Sequence, residues 1–394
     1  MAFSLNVFKS HILIKKILSQ ASNEDFQGSV VEKIDKYPPP TIEFKTATVD
    51  EKSTISAQTI QLKVIDNGGG IDEVKFTHNG KRIPSEKAGM ERGARQGNVI
   101  NMFFNVSLQP GTNQIAVSAY SKGRIESKSY SKNYHFQNEE KKSTCHLFAV
   151  GINQYKNENM SLNYAFADAK DFAETIASKS GALFSEVKLY QLFDQEATRK
   201  NIIDKLVALS NIVKPEDVFI FYYAGHGSMM NEKFYFIPTD ITRLYEEESL
   251  QRDAIYAGDM QEILQNIKAL KQVMVIDACH SGASAEMLAT RGGGEEKAIA
   301  QLSRSAGIHI LASAGSEQTA GEFKTLGHGI FTFALLNALN GEADGSPKDG
   351  KITVYELKSY LDDKVPELTS LYKNSTQYPH TFSKGNDFPI VLEK

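Results

Sequence analysis

Between residues 60 and 119 apolar side chains recur at every second position: Ile60, Leu62 and Val64; Val74 and Phe76; Ile100, Met102, Phe104, Val106 and Leu108; Ile115, Val117 and Ala119. A period of two belongs to strands with one buried and one wet face. Asn67-Gly68-Gly69-Gly70 and Asn79-Gly80 fall between these runs and supply residues that accept positive φ cheaply in tight turns. The pattern predicts a β-sandwich, immunoglobulin-like, over 38–137, opened by the stiff Pro38-Pro39-Pro40. Residues 1–37 carry no clean period and predict no element, and 138–144 read as a polar linker.

After Cys145 the pattern changes to alternating strand and helix: an apolar run at 147–152, a helix after Ser161, a strand near 187–193 and a helix around 201–212. Three continuous apolar runs, 218–223, 273–276 and 308–312, predict central strands of a parallel sheet covered on both faces. Thr353-Val354-Tyr355-Glu356 has capping-box spacing for a last helix. Residues 145–394 therefore read as an α/β unit with a doubly wound, mostly parallel sheet.

In open α/β sheets the reactive crevice lies beyond the carboxyl ends of the strands. The 218–223 run delivers Ala224-Gly225-His226-Gly227, and the 273–276 run delivers Asp277-Ala278-Cys279-His280-Ser281-Gly282. If the two strands are neighbours, about 4.8 Å apart, His226 and Cys279 meet at one edge. A thiol needs such a base or cation to become a nucleophile, and a tetrahedral oxyanion needs preorganised N–H donors, here the backbones of Gly227 and Cys279. Alone, a strand-end His is commonly a satisfied structural residue and a buried Cys a small hydrophobe; their joint placement favours chemistry. His280, by alternation, should point away from that site.

These stretches, with Val150-Gly151-Ile152-Asn153-Gln154-Tyr155 and Asn163-Tyr164-Ala165-Phe166-Ala167-Asp168-Ala169, resemble the caspase, metacaspase and orthocaspase group of cysteine peptidases, of bacterial type, over roughly 145–391. The resemblance implies a Cys279–His226 dyad on a six-stranded, mostly parallel sheet, with a large-subunit-like region to about 285 and a small one after about 305. It also implies that Asp168 and Asp277 line a pocket for Arg or Lys at P1, two carboxylates facing one guanidinium. A helix-start carboxylate at Asp168 and a loop brace at Asp277 are the plain alternatives. Ala224 stands where many metacaspases carry Ser, which leaves Arg against Lys undecided. Ser313, after the third central run, is a candidate contact for substrate backbone. The Gly-rich, charged stretch 283–307 predicts a flexible loop between the two regions, with self-cleavage expected after Arg291, Lys297 or Arg304.

Composition narrows the remaining classes. The 394 residues carry 44 Lys and Arg against 48 Asp and Glu, a net charge of −4 with no dense basic block, so no nucleic-acid surface is expected. Two cysteines, Cys145 and Cys279, build neither a disulfide framework nor a CxxC zinc site and suit a reducing, cytoplasmic setting. No run approaches about 20 apolar residues, so no membrane span is expected. Residues 345–351 have phosphate-loop spacing, but Ile352 replaces the required Ser or Thr; the second half of an EF-hand loop is echoed at 349–356 without its first ligands. No cofactor or metal is expected, and the Ca²⁺ dependence common among metacaspases finds no site in the sequence. The partners expected are a protein or peptide substrate and a regulatory protein at the β-sandwich, in cell death or defence. The rival reading is a caspase-like scaffold or adaptor in which proteolysis is secondary.

Overall fold

The fold is that of a computed structural model, which describes residues 29–45, 52–53, 55–84, 91–137, 143–243, 246–280, 294–313, 326–373 and 376–392, with backbone alone at 52–53, 91–95, 279–280 and 373. Helix α1 (Val30–Lys36) opens them with a capping box, Ser29 and Glu32 each satisfying the other's backbone N–H.

Nine strands follow: β1 (Thr41–Phe44), β2 (Lys52–Ser53), β3 (Ala57–Ile65), β4 (Glu73–His78), β5 (Lys81–Ile83), β6 (Glu91–Gln96), β7 (Val99–Ser107), β8 (Gly111–Tyr120) and β9 (Tyr130–Phe136). They form two sheets, β1-β3-β7-β6 and β2-β9-β8-β4-β5, antiparallel throughout except for the short β2–β9 pair. The alternating residues face each other across the interior. Ile60, Leu62, Phe104, Ile115 and Ala119 are fully buried, and Phe76 of one sheet stacks on Phe104 of the other with centroids 4.6 Å apart. Asn79 and Gly80 both take positive φ and close the β4–β5 hairpin.

The second unit has β10 (Thr144–Gly151), α2 (Ala165–Lys179), β11 (Glu186–Phe193), α3 (Arg199–Ile212), β12 (Val218–Met230), β13 (Lys233–Phe236), α4 (Glu247–Asp253), β14 (Ile255–Tyr256), α5 (Ala257–Asn266), β15 (Lys271–His280), α6 (Gly294–Ala306), β16 (His309–Ala312), α7 (Ile330–Asn337), β17 (Lys351–Thr353), α8 (Val354–Lys373), β18 (His380–Phe382) and β19 (Pro389–Leu392). The sheet order β11-β10-β12-β15-β16-β18 gives six strands, all parallel but β18, and β13 and β14 extend it beside β12. This is the expected α/β architecture. Its central strands alternate between two cores. Phe219, Phe221 and Tyr223 pack toward α3, α5 and α6, whereas Val218, Ile220 and Tyr222 pack toward α2, α7 and α8. The predicted box at α8 is formed: Thr353 Oγ1 accepts from Glu356 N–H and Glu356 Oε2 from Thr353 N–H.

Two features differ from expectation. The strands outlast their apolar runs, so His226 and Cys279 lie within β12 and β15 rather than in loops after them. The stretch expected as a loop is helical over α6, because Ile299, Leu302, Ser303 and Ala306 make one buried stripe under a charged exterior. Lys297 and Arg304 are thus on the wet face of a helix, and Arg291 lies outside the described residues.

The β4–β5 hairpin touches the second unit. Lys81 is 1% exposed, and its ammonium donates to the carbonyls of Leu264 (3.3 Å) and Ile267 at the C-terminal end of α5, where the helix dipole favours a cation.

Candidate active site

Strands β12 and β15 run parallel in a register that pairs Ala224 with Asp277, His226 with Cys279 and Gly227 with His280. The His and Cys read as chemical partners are thereby held side by side at the carboxyl end of the sheet, at ordinary inter-strand spacing of about 4.8 Å. His226 is 5% exposed. Its Nε2 is 2.7 Å from the Met160 carbonyl, which can only accept, so Nε2 carries a proton and the neutral ring keeps its lone pair on Nδ1. The His226 backbone N–H donates to the Tyr155 hydroxyl at 2.8 Å, and the Tyr155 ring packs against the imidazole with centroids 4.9 Å apart. Tyr223 braces the same turn, its hydroxyl 2.8 Å from the carbonyls of both His226 and Ile237. Around Gly227 there is no room for a side chain: a Cβ there would lie 2.8 Å from the Phe234 ring.

Met160 and Tyr155 were not anticipated as functional. Both belong to the loop between β10 and α2, which Asn153 organises by accepting from Phe166 N–H at 3.0 Å and donating to the Asn163 carbonyl at 3.0 Å. Asp194 accepts from the N–H groups of Asn153 and Gln154 (2.7 and 2.9 Å). The Asn163 to Asp168 motif is thus joined to the His strand through backbone geometry, which residue types alone do not reveal.

Asp168 lies in the first turn of α2 and is 4% exposed. Asp277, two residues before Cys279, faces the same region: a Cβ built on Gly329 would lie 3.2 Å from Asp277 Oδ2 and 3.3 Å from Asp168 Oδ2. A glycine at 329 therefore leaves the two carboxylates open to each other. Asp277 Oδ2 accepts from Thr332 Oγ1 at 2.6 Å, and Thr332 in turn is 2.5 Å from the Tyr222 hydroxyl. His328, also unanticipated, lies with Nδ1 2.7 Å from Asp168 Oδ1 and Nε2 3.4 Å from Asp171 Oδ2. Burial first, and then neighbouring Asp277, push the Asp168 carboxyl up to about 7, against hydrogen bonds from His328 and Gly329 that hold it down. The hydrogen bond to Asp168 raises the His328 imidazole above its usual range, with burial opposing.

Ser313 follows β16, its N–H bonded to the Ile276 carbonyl at 2.8 Å; its hydroxyl is buried and has no hydrogen-bond partner among the described residues. It therefore adjoins the strand that carries Asp277. The Cys145 thiol, at the far end of β10, is pushed up to about 12 by burial and the Asp217 charge and is chemically inert. The expectation for the His280 side chain lies outside the described residues. Among the described residues no three His, Cys, Asp or Glu side chains converge as metal ligands. In the acidic cleft at 342–363, Asp344 and Glu356 turn their oxygens to backbone N–H groups. Nor is any helix of the described residues long and apolar enough to cross a membrane.

The structure thus brings a His and a Cys into register on adjacent parallel strands of an α/β sheet, beside a pair of acidic residues. The Caspase domain family profile matches residues 145–387, and the chain belongs to that family, as a caspase- and metacaspase-like cysteine peptidase. It is similar to Metacaspase-1 of Lodderomyces elongisporus, 23% identical over 332 residues that cover 76% of this chain and 69% of that protein. Metacaspase-1 of Schizosaccharomyces pombe is 25% identical over 58% of this chain and 57% of its own length. Metacaspase-1 of Plasmodium falciparum is 24% identical over 35% of this chain, which spans only 24% of that relative. Among solved structures, the protein GSU0716 of Geobacter sulfurreducens aligns with 64% of this chain and 97% of its own, at 17% identity and a TM-score of 0.42.

Proposed function

We propose that this chain is an endopeptidase that cuts after Arg or Lys, with Cys279 as nucleophile and His226 as its proton partner. The observation that carries the specificity is the pair Asp168 and Asp277, both bordering Gly329 beside the strand that bears Cys279. A guanidinium or ammonium exchanges its hydration for two carboxylates there, whereas an acidic P1 side chain would meet like charge. Asp277 and Cys279 are two residues apart and share a strand face, which sets the pocket next to the scissile carbonyl.

In the reaction, the Cys279 sulfur forms a bond to the carbonyl carbon and its proton passes to His226. The oxyanion takes hydrogen bonds from the N–H groups of Gly227 and Cys279. His226 then delivers its proton to the departing amine as the C–N bond breaks. Water, giving a proton to His226, attacks the thioester and releases the carboxylic acid and the thiol. The Met160 carbonyl keeps Nε2 protonated through both halves, so each transfer goes through Nδ1. No cofactor takes part. Self-processing goes with this reading. A peptide bond must be extended to enter a protease cleft, which disfavours Lys297 and Arg304 while α6 is folded.

The test is cleavage of fluorogenic peptides ending in Arg, Lys or Asp by the wild-type chain and by Cys279→Ala. The reading expects turnover of the basic peptides, none of the acidic one, and no activity in the variant. Cleavage only after Asp overturns it.

A further inference from the structure

We propose that His328 is a built-in occupant of the acidic pocket, an internal cation that the P1 side chain must displace; the inference rests on the basic-pocket reading above. The imidazole lies between Asp168 (2.7 Å) and Asp171 (3.4 Å), both on α2, and so occupies Asp168 Oδ1, one of the oxygens an incoming guanidinium would use. Other groups facing the cluster are Asp277 from β15 and, behind Thr332, the Tyr222 hydroxyl of β12. Asp168, Asp171 and Asp277 all act on the imidazole, which brings positive charge to this acidic group.

The imidazole is placed to leave. Its side chain keeps 17% of its exposure, against 5% for Asp168, so it approaches from the solvent side. Gly327 takes φ +68, and a Cβ there would meet nothing within 4 Å, while Gly329 follows. The glycine at 327 therefore gives the backbone beside His328 the conformational range to swing the ring outward. The hydrogen bond to Asp168 raises the imidazole above the usual histidine range, and loss of its proton as the pH rises loosens it.

Agmatine, which presents a guanidinium without a peptide, probes the pocket directly. Calorimetry on the full chain at pH 7 should find agmatine bound about tenfold more tightly by His328→Ala than by the wild type, the loss of one charge-assisted competitor. Binding by His328→Lys, which carries a full charge at that pH, should be weaker than by either. If His328→Ala binds no more tightly than the wild type, the histidine positions Asp168 and is no competitor, and the inference falls. Should that variant not fold, the His328 resonance of the wild type decides: saturation with agmatine should return its pKa toward about 6.5, and an unchanged, raised value overturns displacement. Agmatine binding that Asp277→Asn leaves intact would instead remove the basic-pocket reading itself.

Discussion

At His226 the backbone writes the tautomer. The Met160 carbonyl claims the Nε2 proton and the Tyr155 ring packs on the imidazole while its hydroxyl takes the residue's own N–H, so the ring is held on two sides before substrate arrives. Tyr155→Phe keeps the ring packing but leaves a buried amide unsatisfied. We expect a loss of about 1–3 kcal/mol in stability, read from denaturant unfolding, together with a fall in kcat. Asp168 shows the opposite economy, a carboxyl kept where folding disfavours its charge. Its folded pKa, near 7, is above the ordinary value of 3.8, so the folded state binds the extra proton between those values and this group's contribution to stability declines as pH rises through that window. Asp168→Asn should therefore raise the melting temperature at pH 8 more than at pH 4, while abolishing cleavage after basic residues. An unchanged gap between the two pH values would contradict the assignment.

Elements differ in how openly the sequence declared them. The β-strands were legible because each buries one face, so Ile60, Leu62 and Val64 alternate cleanly; the central strands were legible because both faces are buried. Helix α6 was not, since Gly292, Gly293 and Gly294 and the charges of 295–297 masked a stripe of only a few buried residues. Within the candidate site, His226 and Cys279 were proposed from residue type and their places after the apolar runs, and Asp168 and Asp277 through the family resemblance. Met160 could not, because it acts through a carbonyl, and His328 could not, because only the tertiary fold carries it 160 residues along the chain to Asp168. The β4–β5 hairpin yields a prediction of its own. Lys81→Met keeps the bulk but leaves the Leu264 carbonyl without its ammonium donor, whereas Gln272 still reaches the Ile267 carbonyl at 2.9 Å. A loss of about 1–3 kcal/mol is expected, and a stability equal to wild type would show the contact to be idle.

For the whole molecule, that same hairpin means the β-rich half and the sheet bearing Cys279 are in physical contact, through Lys81 at the end of α5 and Gly80 against Gly307. Acid should loosen the β-rich half. Burial holds the His78 imidazole, bonded to Asn113, down to about 4, so the folded state resists the proton that the unfolded chain takes up near 6.5. Its contribution to stability is complete above 6.5 and is lost as pH falls toward 4. Hydrogen exchange at pH 4.5 should show β4 and β8 opening more readily than at pH 7, and equal protection at both would count against it. The central claim, cleavage after basic residues by Cys279, meets its most direct test in a peptide library randomised at P1 and read by mass spectrometry. Wild type should cut after Arg and Lys, Asp277→Asn should lose that preference, and Cys279→Ala should cut nothing. Cleavage after acidic residues, or a basic preference that survives Asp277→Asn, would contradict the account.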